Sequence, residues 1–271
     1  MNLRSVFSYF FSAQNEHGLH SPFVFDLYRN IIKKDEHLSG FENIEALRHE
    51  MLQSREKIQV TDFGAGSKIN ASPVREVRDI AAHSKKSARL GRLFYRLICH
   101  FGHEHIFDLG TSLGLTTLYL AAPPSAKVTT FEGCPETAKI ANRNFTQFAV
   151  SNQPSALSNH PSPITTIVGN LDEVLSAQVD ETPKIDFAFF DANHRLEPTL
   201  RYFETCLQKA HNDTLFVFDD IHWSDEMETA WAQIKAHPSV TVTIDLFAVG
   251  LVFFRKQQRK QHFVLRWPFW K

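Results

Sequence analysis

The chain is poor in cysteine, with three in 271 residues, at positions 99, 134 and 206. So few, so widely spaced, form neither a disulfide framework nor a paired-cysteine metal site, and they suit a reducing cytoplasmic setting. Long apolar runs are missing: none approaches the ~20 residues that span a bilayer. The first 18 residues, MNLRSVFSYFFSAQNEHG, hold an aromatic patch but no clear small-residue cleavage site, which argues against a signal peptide. There is no excess of charge of one sign, since 29 Lys/Arg face 30 Asp/Glu. Tyrosine is scarce beside phenylalanine, 5 against 24, which points to packing through apolar rings. With 43% hydrophobic and 22% charged residues, a disordered chain and a fibrous repeat are excluded. The length allows one large domain, or one domain with a substantial cap.

Charge is unevenly placed. Residues 105–254 hold 18 Asp/Glu against 8 Lys/Arg, whereas residues 255–271 hold six basic residues and no acid. The acidic middle argues against a nucleic-acid groove across it. The basic end (Arg255, Lys256, Arg259, Lys260, Arg266, Lys271) is either a solvated terminal strand or a contact for phosphate or an anionic membrane.

Apolar spacing predicts helices over 22–34, 41–56, 74–83 and 87–101. In the last of these, Leu90, Leu93, Phe94, Leu97 and Ile98 share one face and Gly102 follows as a C-cap. From residue 105 the texture alternates. Strand-like runs at 105–109, 127–132, 164–168, 185–191 and 214–220 are separated by helical stretches near 114–122, 135–148, 170–177, 196–210 and 225–236. This predicts an α/β fold with a mostly parallel sheet and helices on both faces. Two last runs, 240–246 and 250–256, are too close for a helical crossover and predict an antiparallel hairpin. The boundaries that follow are a helical cap and substrate region over 1–84 and a core with a basic tail over 85–271. The polar stretch 151–163 reads as a surface loop.

Two glycine turns follow strand-like runs, DFGAGS (62–67) and DLGTSLG (108–114). The second ends a buried strand and opens a helix. A strand ending in Glu132 comes about twenty residues later. Glycines at 110 and 114 let the backbone approach a ligand, and a carboxylate at 132 can accept both ribose hydroxyl protons of a nucleotide. The spacing lacks the third glycine of a dinucleotide fingerprint, which disfavours NAD. The first turn reads as a structural join or as a substrate loop.

FDLGTSLGLTTLYLA followed by VTTFEG resembles motif I and its acidic successor in class I S-adenosylmethionine-dependent methyltransferases. The resemblance spans roughly residues 85–255 and implies a Rossmann-like seven-stranded sheet with a C-terminal antiparallel hairpin. It implies S-adenosylmethionine contacts along Asp108, Gly110, Thr111, Ser112, Gly114, Glu132, Gly133 and Asp191. Asn170 and Leu171 fall where the family meets the adenine.

DANH (191–194) and DDIHW (219–223) close consecutive predicted strands, which is the ligand edge of an open α/β sheet. Asp191, Asp219 and Asp220 could converge there. Three close carboxylates repel unless a cation bridges them, and a hard divalent ion such as Mg²⁺ takes oxygen ligands. This looks like the metal-dependent O-methyltransferases of the catechol and macrolide-sugar types, which implies a metal at Asp191, Asp219 and Asp220. The catechol type has a lysine three residues after its first aspartate. Here His194 stands at that place, as in the macrolide-sugar type, and an imidazole is well matched to taking a hydroxyl proton. His222 is a second candidate base or a pocket wall, and Trp223 a packing surface for cofactor or substrate. One aspartate could instead cap the next helix. HGLHSPF (17–23) reads as a capped helix start, with a pocket lid as the functional alternative.

The sequence therefore points to an enzyme, an S-adenosylmethionine-dependent O-methyltransferase acting on a small or medium metabolite with a divalent metal. Two alternatives stand beside it: a nucleic-acid or protein methyltransferase using the basic flanks, and a non-catalytic cofactor-binding protein whose phenylalanines and RWPFW end meet a partner. Assembly into a homo-oligomer stays open.

Overall fold

A computed structural model describes residues 3–34, 40–61, 72–83, 86–151 and 164–268. The DFGAGS turn and nearly all of the 151–163 stretch lie outside these residues. The chain divides into two compact units, Met1–Asp35 with Leu175–Lys271, and Glu36–Val174. The boundary expected near residue 84 falls inside the second of these.

The first unit opens with α1 (Leu3–Ser12) and α2 (Pro22–Leu27), which runs on as a wider turn over Tyr28–Ile32. The HGLHSPF motif provides the helix start expected of it. The Ser21 hydroxyl accepts the Val24 N–H at 3.4 Å, and Pro22 occupies the first turn, where a missing N–H costs nothing.

The second unit contains α3 (Glu42–Gln53), the short strands β1 (Lys57–Gln59) and β2 (Val74–Glu76), and α4 (Val77–His83). β1 and β2 pair antiparallel, so the predicted helix over 74–83 is a strand for its first three residues. Next come α5 (Ala88–Phe101), β3 (His105–Leu109), α6 (Leu115–Ala121), β4 (Lys127–Glu132), α7 (Pro135–Ser151) and β5 (Ile164–Val168). The C-cap of α5 is as its sequence predicts, and an N-cap joins it. The Ser87 hydroxyl accepts the Leu90 N–H, and Gly102 takes the left-handed conformation (φ 64°) that closes the helix. Strands β3, β4 and β5 are parallel neighbours. Leu113, Leu118, Tyr119, Ile140, Ala141 and Phe145 join Ile44, Leu47 and Met51 of α3 in one apolar cluster. The region before residue 84 thus contributes directly to this unit's core.

α8 (Leu171–Glu181) leads back to the first unit, which holds β6 (Ile185–Phe190), α9 (Leu196–Leu207), β7 (Ala210–Asp219), α10 (Asp225–Ala236), β8 (Val242–Asp245), β9 (Val249–Phe253) and β10 (Gln261–Val264). β6 and β7 are parallel; β9 runs antiparallel to both β7 and β8, which forms the expected hairpin. The phenylalanine excess is concentrated here. Phe190 stacks on Phe218 with centroids 4.3 Å apart, and Phe203, Phe216 and Phe254 pack edge-on around them. At about 1.5–3 kcal/mol for each fully buried large apolar side chain, these rings are the main adhesive of the unit.

Strands β3–β10 make up a mixed, mostly parallel eight-stranded sheet flanked by helices, the Rossmann-like class that the sequence implies. Seven strands were expected from the pattern. The eighth, β10, comes from the basic tail and pairs parallel with β8, from Gln261 opposite Val242 to Val264 opposite Asp245. Several tail cations are engaged in holding it. The Lys260 ammonium donates to the Ala236 and His237 carbonyls at the end of α10, and Arg255 pairs with Asp213 at 3.3 Å while lying over the Phe23 ring.

Candidate active site

The turn after β3 is shaped by backbone geometry. Gly110 (φ 119°) and Gly114 (φ 81°) lie where side chains are disfavoured, and Ser112 between them is also left-handed (φ 49°). The Gly110 and Thr111 N–H groups both donate to the Phe131 carbonyl, at 3.1 and 3.0 Å, which moors the turn to the end of β4. A Cβ at position 114 would land on the Phe145 ring, with Cζ 2.7 Å away. The glycine is therefore required by the packing of α7 as well as by its φ.

Glu132 closes β4. Its carboxylate accepts the Ser112 N–H at 2.8 Å and the Cys134 N–H at 2.9 Å, one on each oxygen. A carboxylate has about four acceptor positions, of which these bonds use two. The bonds also set the orientation of the group and brace the turn against β4. Gly133 follows directly, half-buried. The Glu132 carbonyl accepts the Gly169 N–H at 3.0 Å, which brings the end of β5 alongside. Asn170 then caps α8, its side chain accepting the Asp172 N–H at 3.2 Å, and Leu171 is the first helical residue.

Asp108 is buried within β3. One of its oxygens accepts from the Thr117 hydroxyl at 2.6 Å and from the Thr130 hydroxyl at 3.0 Å, and Thr130 lies 2.6 Å from the Thr111 hydroxyl. This buried chain ties β3, β4, α6 and the glycine turn together. Thr111 is likewise buried. Asp108 and Thr111 thus brace the turn from beneath, while Gly110, Ser112, Gly114, Glu132 and Gly133 form it.

The second constellation belongs to the other unit. Asp191 follows β6, and Asp219 is the last residue of its parallel neighbour β7, so both lie at carboxyl ends of strands. A carboxylate oxygen of Asp191, one of Asp219 and a ring nitrogen of His194 lie within 4.8 Å of one another. His194 Nε2 is 3.4 Å from Asp191 Oδ1. Asp219 is buried; the other two are half-buried. The loop that carries His194 is strained, with Asn193 at φ 69° and His194 at φ 38°. Left-handed non-glycine residues cost free energy and persist where the surroundings hold them, which is common at functional sites.

Asp220, expected beside Asp219, is not in this group. β7 ends at Asp219, so Asp220 lies beyond the strand. Asp220 leaves the strand in a left-handed turn (φ 51°), and its N–H donates to the Ala248 carbonyl at 2.9 Å. His194 takes its place in the group of three.

His222 is engaged on both sides. Nε2 is 2.8 Å from Asp245 Oδ2, Nδ1 is 3.3 Å from Glu228 Oε1, and the ring stacks on Phe247 at 5.2 Å. Burial opposes its charge, but the hydrogen bonds and attraction of Asp245, then of Glu228, outweigh that and raise its pKa above the ordinary imidazole value. Both ring nitrogens face carboxylates of the fold, so neither is turned toward an acceptor hydroxyl. His222 is a clamp between β8 and α10. Sequence spacing gave no sign of this, because Asp245 lies 23 residues away in the hairpin. Trp223, next to it, is half exposed.

Residues 107–221 match a family model described as a methyltransferase domain. No curated protein matches the chain in sequence. Among solved structures, the O-methyltransferase from Bacillus cereus in complex with SAH is similar, at 18% identity and a TM-score of 0.54, over 84% of this chain and 94% of that one. The O-methyltransferase TomG from Streptomyces achromogenes, involved in tomaymycin synthesis and solved with SAM, gives 16% identity and a TM-score of 0.53 over 86% and 96%. CalS11, a TDP-rhamnose 3′-O-methyltransferase of calicheamicin biosynthesis, gives 12% and 0.51 over 82% and 96%. Residues 107–221 thus match the methyltransferase-domain model, and the chain has the fold of these O-methyltransferases.

Proposed function

We propose that the protein transfers the methyl group of S-adenosylmethionine to a hydroxyl of a small or medium metabolite, assisted by a divalent cation. The observation that carries this reading is the group Asp191, His194 and Asp219 at the ends of β6 and β7, in a chain that matches a methyltransferase-domain model. The two carboxylates of this group offer oxygen donors that fit a hard divalent ion such as Mg²⁺, and the imidazole within 4.8 Å of them is left to act as a base. When bound, that ion would supply Lewis acidity to an acceptor hydroxyl, and S-adenosylmethionine would supply the methyl group.

The chain's own residues would act as follows. Gly110, Ser112 and Gly114 present backbone close to the cofactor, and Glu132, oriented by two N–H donors, accepts ribose hydroxyl protons. Gly133, Asn170 and Leu171 border the same edge. Asp191 and Asp219 hold the cation. His194 Nε2 takes the hydroxyl proton, and Asp191, 3.4 Å away, stabilises the imidazolium that forms. The sugar O-methyltransferase among the similar structures supports an aliphatic hydroxyl as acceptor.

The test is calorimetric titration of wild type, Asp219→Asn and His194→Ala with S-adenosylmethionine and with Mg²⁺. Wild type binds both, and Asp219→Asn retains the cofactor and loses the metal. His194→Ala keeps metal affinity if the ring is a base; loss of the metal would make it a ligand instead. Failure of wild type to bind Mg²⁺ removes the metal from the mechanism. Failure to bind S-adenosylmethionine removes the function.

A further inference from the structure

Two consecutive residues of α7 meet the turn after β3. Phe145 leaves no room for a side chain at position 114, and Asn144 reaches the same turn through its amide. Asn144 Nδ2 donates to the Leu113 carbonyl at 2.9 Å and lies 3.7 Å from Met51 Sδ of α3. The side chain is fully buried, and its Oδ1 has no hydrogen-bond partner among the described residues.

A helix interior does not call for asparagine, which is a weak helix former because its side chain competes with the backbone for hydrogen bonds. A buried amide oxygen without a partner is a further cost, since it has given up water and gained nothing. An apolar side chain of similar shape would avoid both. What asparagine contributes instead is a donor, and that donor is directed at the glycine turn.

The turn is held at three places. Its entry is moored by the Gly110 and Thr111 N–H groups on the Phe131 carbonyl, and its middle by the Ser112 N–H on the Glu132 carboxylate. Asn144 holds its exit, at Leu113, directly before the left-handed Gly114. α7 begins at Pro135, just after the loop that follows Glu132. The helix that carries Asn144 is therefore continuous with the segment that carries the carboxylate, and the bond to Leu113 fixes the exit of the turn relative to Glu132.

We propose that Asn144 is a positioning residue for the cofactor: acting through the Leu113 carbonyl, it keeps the glycine turn in the conformation that receives S-adenosylmethionine. This role rests on the reading of the turn and Glu132 as the cofactor site. A turn that visits several conformations binds in proportion to the competent fraction, so loss of the bond is expressed as weaker affinity.

The experiment combines calorimetric titration with S-adenosylmethionine and backbone hydrogen exchange of the ligand-free full chain, on wild type, Asn144→Leu, Asn144→Ala and Gly102→Ala. Leucine keeps the shape of the side chain, and alanine removes it without adding bulk. Both Asn144 variants are expected to bind about three- to tenfold more weakly, as for loss of one hydrogen bond, with faster exchange of the Thr111 and Gly114 N–H groups. Gly102→Ala, whose new methyl meets open space at the end of α5, controls for a general loss of stability and changes neither. Affinity equal to wild type in both Asn144 variants overturns the proposal and leaves the cofactor reading standing. Weaker affinity with unchanged exchange in the turn also overturns it, since the effect then does not pass through the turn. Unfolding of both variants overturns it too, because the residue is then required by the fold rather than by the site. A wild type that does not bind S-adenosylmethionine overturns the cofactor reading itself, and the role of Asn144 falls with it.

Discussion

Two glycines allow the steric part of the turn after β3 to be measured separately from its backbone part. Gly114 (φ 81°) and Gly102 (φ 64°) are both left-handed, so alanine at either position pays the conformational cost of about 1–2 kcal/mol. Beyond that they differ. A Cβ at 102 meets nothing within 4 Å. A Cβ at 114 meets the Phe145 ring, with Cζ at 2.7 Å, and the Ala141 methyl at 3.3 Å. Phe145 is buried and cannot swing into solvent, so α7 must shift; such overpacking costs about 1–3 kcal/mol. Gly102→Ala is therefore expected to lose about 1–2 kcal/mol and Gly114→Ala about 2–5 kcal/mol. Urea unfolding of both variants gives the two values. Gly114→Ala should also weaken S-adenosylmethionine binding in calorimetry, because the turn moves with α7, while Gly102→Ala leaves it unchanged. Equal losses of stability in the two variants would refute the steric argument.

Four further outcomes follow from the geometry. The pKa of His222 is raised in the folded state, so the stability it contributes is full below the ordinary imidazole value of about 6.5 and is lost as pH rises through the folded value. The urea midpoint should thus fall as pH rises above about 6.5, and His222→Gln should remove that slope; an unchanged slope places the titration elsewhere. Glu132→Ala loses two charge-assisted hydrogen bonds and should weaken cofactor binding more than Glu132→Gln, which keeps an acceptor oxygen, as titration of the two variants would show. Ser87→Ala removes the cap of α5 and should cost about 1 kcal/mol in urea unfolding. Mass spectrometry after alkylation should find the exposed Cys99 labelled first, with buried Cys134 and Cys206 reacting only on unfolding; burial pushes the Cys206 thiol well above its ordinary pKa.

Local chemistry made much of this protein legible in one dimension. The caps of α2 and α5 lie in Ser21-Pro22, Ser87 and Gly102, because capping depends on residues within one turn. The strands β3–β9 and the hairpin follow from apolar runs and the lengths between them, and the glycine turn with Glu132 follows from spacing along one βαβ unit. Tertiary structure decided what depends on distant partners. β10 is four residues among charges and becomes a strand only because β8 offers it an edge. The role of Asp108 as a brace is seen only in the fold, where the Thr117 and Thr130 hydroxyls donate to one of its oxygens. His222 reads as a base until Asp245 and Glu228 occupy both its nitrogens. Asp219 and Asp220 are adjacent in sequence, yet β7 ends between them and Asp220 enters a left-handed turn, while a left-handed loop brings His194 to Asp191 and Asp219. Sequence determined which residues can do chemistry and roughly where the strands end. The direction of each side chain, and therefore which of those residues meet, was set by packing across the sheet.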